Sequence, residues 1–171
     1  MSSQPDSKTP IVSGLEVVLP PAIFNTDSGS ATAKKAAQLL TEKNIGYVVP
    51  TAQQKRNLVV ACAKRDLIVY GKAFDVLRLT GEVNLNSLED VEAKFSQIVI
   101  CEIKSTKQNF PDDFRGYFFG LTAAEVLVAQ SLKDQFRFIF FNTVSGSFLE
   151  LRLNEVFAKA RGIYPTWSIS F

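Results

Sequence analysis

Residues 97–106, QIVICEIKST, constrain the fold of this chain more than any other stretch. Ile98, Val99, Ile100, Cys101 and Ile103 form an apolar, largely β-branched run, which predicts a strand covered on both faces. Glu102 and Lys104 interrupt that run two residues apart. A strand sets alternate residues on one face, so the acid and the base share a side, with Cα atoms about 6–7 Å apart. Burying both charges costs several kcal/mol even when they pair. A strand buried at its start and opening into a cleft at its far end reconciles the two patterns, and functional groups gather at such boundaries.

The rest of the chain supplies partners for that strand. Residues 1–30 read as a partly flexible arm, with Pro20 and Pro21 opposing a central strand or helix there. Residues 31–171 read as a single domain. Ser30 or Thr32 caps a first helix whose Ala33, Ala36, Ala37 and Leu40 share a face, and "NIG" ends it. "YVVP" is a short extended piece. Thr51 caps a second helix with Leu58, Val59 and Cys62 as its stripe. Two strands, 66–70 and 74–79, flank a Gly71-Lys72 turn. "NSLEDVEAKF" predicts a short helix and "QNFPDDFRGYFFG" an irregular aromatic loop. Thr122 caps a helix, "QFRFIFFNT" is a strand, "LRLNEVFAKARGI" a closing helix, and "YPTWSISF" a terminal strand or arm with Tyr164 and Trp167 as anchors. This order predicts an α/β (α+β) fold with a mixed central sheet flanked by helices.

Composition narrows the chemistry. The 171 residues are 46% hydrophobic and 21% charged, enough for a sizeable core. The net charge of +2 is too small to announce a nucleic-acid partner, so any such surface must be a local patch. The chain has no histidine, which excludes Ser-His-Asp and Cys-His catalysis and His-ligated zinc. Cys62 and Cys101 sit in apolar runs without metal-site spacing and read as buried free thiols of a reducing compartment. The polar N-terminus and the lack of any apolar run of about 18 residues predict a soluble, cytoplasmic protein with no membrane partner.

Asp75 is the second anomaly. It interrupts "AFDVLRL", where β-propensity disfavours Asp. If its strand neighbours the one carrying Glu102, two carboxylates meet and call for a cation between them. Oxygen-only ligation selects Mg²⁺ or Mn²⁺, with waters and a substrate phosphate completing the shell. Lys104 would stand beside a metal-bound water.

Asp75, then Glu102-Ile103-Lys104, then a helix and a strand, resemble the D…E-x-K core of the PD-(D/E)XK nuclease superfamily, which includes restriction endonucleases. "EIKST…F…LTAAEVLVAQ……FRFIFFN" is similar to the stretch after the active site of Mrr-like restriction nucleases. The resemblance covers roughly residues 30–142. It implies a restriction-endonuclease-like αβββαβ core and a Mg²⁺-dependent, restriction-type DNA endonuclease. Asp75 and Glu102 would hold the metal with the Ile103 carbonyl, and Lys104 would orient or activate the water. Cutting both strands of a duplex calls for two such sites, as in a homodimer. Three departures stand out: Phe74 replaces the usual Pro, the interval from Asp75 to Glu102 is long and must loop out of the sheet, and the first helix lacks the Glu of some members, offering Gln38 and Glu42 instead.

The basic residues Lys34, Lys35, Lys55, Arg56, Lys64 and Arg65, with Lys107 and Arg115 beside the active strand, would contact phosphates or form ordinary helix surface. Among them Lys34, Lys35, Lys107 and Arg115 are the DNA-binding candidates. Asn109, Arg115 and Tyr117 would reach base edges. Glu125 would approach the site or lie on a solvated helix face. The rival to the enzyme is a non-catalytic DNA-binding or interaction module on the same scaffold.

Overall fold

The computed structural model describes residues 26–164. Helix α1 (Thr26–Glu42) opens the described chain, several residues before the expected caps at Ser30 and Thr32. It leads through Asn44 and Gly46, both at positive φ, into a two-residue edge strand β1 (Tyr47–Val48). Gly46 is required there: a Cβ on it would meet the Leu79 carbonyl oxygen at 2.4 Å. Helix α2 (Ala52–Ala63) starts at a reciprocal cap between Thr51 and Gln54.

Strand β2 (Val76–Leu79) follows, then helix α3 (Leu88–Ala93) and strand β3 (Ile98–Thr106). Helix α4 (Ala123–Leu132), strands β4 (Phe136–Asn142) and β5 (Phe148–Leu151), and helix α5 (Leu153–Lys159) complete the described chain. The sheet runs β1-β2-β3-β4-β5, antiparallel throughout except for the parallel pair β3–β4. This is the expected mixed α+β architecture. The interval between β2 and β3 leaves the sheet as α3, as its length required.

Two expectations need correction. Residues 67–70 form no strand, so the hairpin around Gly71-Lys72 does not exist, although the turn does. Asp66 adopts positive φ and the Leu67 N–H turns back to the Cys62 carbonyl. Ile68 then gives its N–H to Ser131 Oγ on α4 at 2.7 Å. Side chains and a helix end thus take the polar groups that a neighbouring strand would have taken. The closing helix begins at Leu153 because residues before it pair with β4 as β5, a strand whose half-buried residues gave a weak signal. The arm before Thr26 and the terminal stretch with Trp167 lie outside the described residues, while Tyr164 packs its ring against Phe118.

Strand alternation divides the core into two layers. Val76, Val99, Cys101, Ile103, Ile139 and Phe141 meet Ala36, Ala37 and Leu40 of α1. Leu77, Ile98, Ile100, Phe136, Phe138 and Phe140 face the other way, toward Leu58, Val91, Val128 and Val156 of the remaining helices. Burial of such side chains stabilises the fold by about 1.5–3 kcal/mol each. Both cysteines are buried free thiols. On the α1 face, Glu150 of β5 accepts hydrogen bonds from Tyr47 at 2.6 Å and from Arg78 at 2.9 Å, linking distant strands. No helix among the described residues is long and apolar enough to cross a membrane.

Candidate functional site

Asp75 stands where the β2–β3 ladder breaks. Its N–H donates to the Cys101 carbonyl at 2.9 Å, although the register pairs Cys101 with Val76. Two residues of one strand therefore face one of the other, the arrangement of a bulge. Beyond it, Asp75 Oδ2 accepts the Ile103 N–H at 3.0 Å, replacing the carbonyl that a continued ladder would have offered. The Phe74 carbonyl is turned to Lys55 Nζ of α2, which donates to it at 3.0 Å and to the Gly71 carbonyl at 3.1 Å. The same ammonium lies 4.5 Å from the centroid of the Phe74 ring.

Glu102 and Lys104 share the parity of Ile98 and Ile100, so they extend the larger core layer toward the C-terminal end of β3. Strand β3 is buried through Ile103 and half-buried at Lys104 and Ser105, as the sequence required. Lys104 Nζ donates to Glu102 Oε1 at 3.0 Å and to Glu125 Oε2 at 2.8 Å. The three side chains are 13%, 11% and 9% exposed, which makes this a desolvated ion cluster rather than a surface pair. Glu125 belongs to the first turn of α4, where it and Thr122 cap each other reciprocally.

The environment shifts each charge. Burial pushes the Glu102 carboxyl up to about 8, against the pull of Lys104 and with repulsion from Asp75 and Glu125. Burial likewise raises Asp75, partly offset by the Ile103 N–H, Lys104 and Lys55. For Lys104, burial works against the charge, but Glu102 and Glu125 outweigh it and hold the ammonium more firmly than usual. Three carboxylates thus converge around Lys104, with Lys55 at the margin. Such a site attracts further positive charge.

Asp75, Glu102, Ile103 and Lys104 are therefore brought together, and Glu125 joins them. The other candidates are not gathered in the same way. Lys34 and Lys35 are exposed on α1, the helix covering the opposite sheet face. Gln38 donates to Glu42 on the same helix, away from the carboxylates. Lys107 and Asn109 are exposed on the loop after β3, and Arg115 pairs with Asp113 at 3.2 Å. Tyr117 is turned inward: its hydroxyl donates to the Ser105 carbonyl at 2.8 Å and its ring packs among Phe110, Phe114, Phe119 and Phe140. Burial pushes that phenol up to about 12.

Glu125 takes the first of the two places that the sequence leaves open to it, whereas Lys55 is not assigned to the site from sequence. The signal for Glu125 lies in "LTAAE", where a Thr cap with an acid three residues on turns the carboxylate back toward the helix start. Lys55 had no such signal, because its partners are carbonyls of a distant turn. Among the described residues, no three His, Cys, Asp or Glu side chains are arranged to share a metal ion. No family model, curated protein or solved structure matches the chain.

Proposed function

We propose that this chain is a Mg²⁺- or Mn²⁺-dependent endodeoxyribonuclease of the PD-(D/E)XK type, restriction-like in character and acting on duplex DNA in the cytoplasm. The observation that carries the reading is the convergence of Asp75, Glu102 and Lys104 where the β2–β3 ladder opens. The element order supports it. Apart from α2 and α3, the chain runs from α1 through three antiparallel strands to α4 and then to β4, parallel to β3, an αβββαβ sequence.

The donor set fits a hard divalent cation. Asp75 and Glu102 each have one carboxylate oxygen without a hydrogen-bond partner among the described residues. In a strand a residue's N–H and C=O leave by the same edge, so the Ile103 carbonyl points to the side on which its N–H meets Asp75. Asp75, Glu102 and that carbonyl would hold the ion, leaving positions for water and a substrate phosphate. When bound, the ion would supply Lewis acidity and an acidified water. Lys104, held charged by its two acids, suits orientation of the nucleophile and compensation of negative charge growing at phosphorus better than proton abstraction. Exposed Lys107 and Arg115, on the loop after β3, would meet the DNA backbone; Lys34 and Lys35 would do so only where the DNA reaches the α1 face. A homodimer would provide the second site for cutting both strands.

The test is cleavage of supercoiled plasmid and linear duplex with Mg²⁺ or Mn²⁺, with EDTA and the variants Lys104→Ala and Asp75→Asn as controls. Metal-dependent cutting lost in both variants is the expected result. Cutting that survives both variants would sink the assignment. One observation favours a non-catalytic binding module: Lys104 already pairs with both Glu102 and Glu125 within the protein. That reading predicts DNA affinity unchanged by EDTA and by Asp75→Asn.

A further inference from the structure

Lys104 has two anchors of different kinds. Glu102 sits two residues away on the same strand and is a carboxylate that the nuclease reading also assigns to the cation. Glu125 comes from α4, and its position is fixed independently. Its N–H donates to Thr122 Oγ1 at 3.2 Å, and its Oε2 accepts the Thr122 N–H at 3.1 Å. That same oxygen receives the Lys104 ammonium at 2.8 Å. The reciprocal cap locks the carboxylate into one rotamer at the start of a ten-residue helix packed on β4 and α5.

A lysine side chain surrenders much rotamer freedom when fixed, so it stays in one place only where partners hold it. Glu102 can give its charge fully to Lys104 or to a cation, not to both. Once the free oxygen of Glu102 meets the cation, its charge is shared between the two, and the acid that the cation does not use becomes the firmer hold on Lys104. From this geometry we infer that Glu125 is the positioning residue for Lys104 in the metal-loaded site, an inference that rests on the nuclease reading above. Glu125 touches neither substrate nor cation. It keeps the ammonium aimed at the reacting phosphate while Glu102 is engaged.

The experiment separates this role from helix capping. Glu125→Ala removes both the cap and the anchor, Glu125→Gln preserves the cap but removes the charge, and Thr122→Ala weakens the cap but leaves the ion pair. The readouts are single-turnover cleavage, Mg²⁺ affinity by calorimetry, and the Lys104 side-chain NMR signal of lysine-labelled protein with and without Mg²⁺. Misplacing a catalytic group costs on the order of 100-fold in rate, so Glu125→Ala is expected to lose about that much. Glu125→Gln loses less but more than Thr122→Ala, and all three bind Mg²⁺ as wild type does. In wild type the Lys104 signal keeps the dispersed position of a fixed side chain when Mg²⁺ is added, whereas in Glu125→Ala it moves to that of free lysine. Wild-type cleavage by Glu125→Ala, an unmoved Lys104 signal, or a loss confined to Mg²⁺ affinity overturns the role of Glu125 and leaves the nuclease reading standing. Wild-type protein that neither binds Mg²⁺ nor cuts DNA removes both.

Discussion

The Asp75 carboxylate substitutes for a backbone carbonyl, accepting the Ile103 N–H at 3.0 Å where the β2–β3 ladder has ended. A residue chosen only for chemistry would not need that bond, and one chosen only for structure would not need the charge. The two demands separate in mutants. Asp75→Asn retains an oxygen for the Ile103 N–H, whereas Asp75→Ala leaves a half-buried amide without its partner. Leaving a buried donor unsatisfied costs about 1–3 kcal/mol, so Asp75→Ala is expected to be less stable than Asp75→Asn by that margin in urea unfolding. Equal unfolding midpoints for the two variants would mean that water replaces the bond. Both variants should lose metal-dependent cleavage.

Removing Lys104 strands two acids. Glu102 and Glu125 are each about a tenth exposed, so in Lys104→Met both are desolvated without a counter-charge once the pH exceeds the raised Glu102 value. Breaking a buried ion cluster in this way costs about 3–5 kcal/mol. Adding Glu125→Gln to Lys104→Met should restore part of that loss. The check is guanidinium unfolding of the single and double variants in EDTA, and a loss below about 1 kcal/mol for Lys104→Met would contradict the desolvated geometry.

Stability of the metal-free protein should fall as pH rises, in two windows. Asp75 and Glu102 both lie above the ordinary carboxylate range because of burial. Between about pH 4, where unfolded carboxylates lose their protons, and the raised native values, reaching about 8 for Glu102, the native state binds more protons than the unfolded state. Stability therefore declines across that window. Lys104 adds a second decline, since its raised native value means its contribution is full below the unfolded value of about 10.4 and is lost above it. Unfolding free energies measured from pH 4 to pH 9 in EDTA should slope downward in wild type and less steeply in Glu102→Gln. A rising slope attributable to Glu102 would show that Lys104 outweighs burial.

Gly46 and Gly116 both have positive φ, at 88° and 84°, but differ in what surrounds them. At Gly116 a Cβ meets nothing within 4 Å, so Gly116→Ala carries only backbone strain, about 1–3 kcal/mol. At Gly46 the same strain is joined by a clash with the Leu79 carbonyl, and backbone cannot swing aside as a side chain can. Gly46→Ala should therefore melt well below Gly116→Ala by circular dichroism and should weaken protection of the β1–β2 amides in hydrogen exchange.

The sequence by itself determined the parts of this protein whose signal is local. Strongly apolar runs made β3 and β4 interior strands, and the caps at Thr51 and Thr122 set the starts of α2 and α4. The alternation at Glu102 and Lys104 placed an acid and a base together on one face of a buried strand. Only the tertiary structure decided what lacked a local signature. Residues 67–70 have the composition of a strand, but Ser131 on α4 took the Ile68 N–H before any strand could. Residues 148–151 were too short and too evenly half-buried to stand out, and became β5 because β4 offered an edge. Glu125 and Lys55 reached the cluster through α4 and α2, from residues distant in sequence from those they bind. Periodicity and caps record what a residue's near neighbours impose, whereas a buried charge finds its partner by the packing of whole elements, and that is decided only when the layers close.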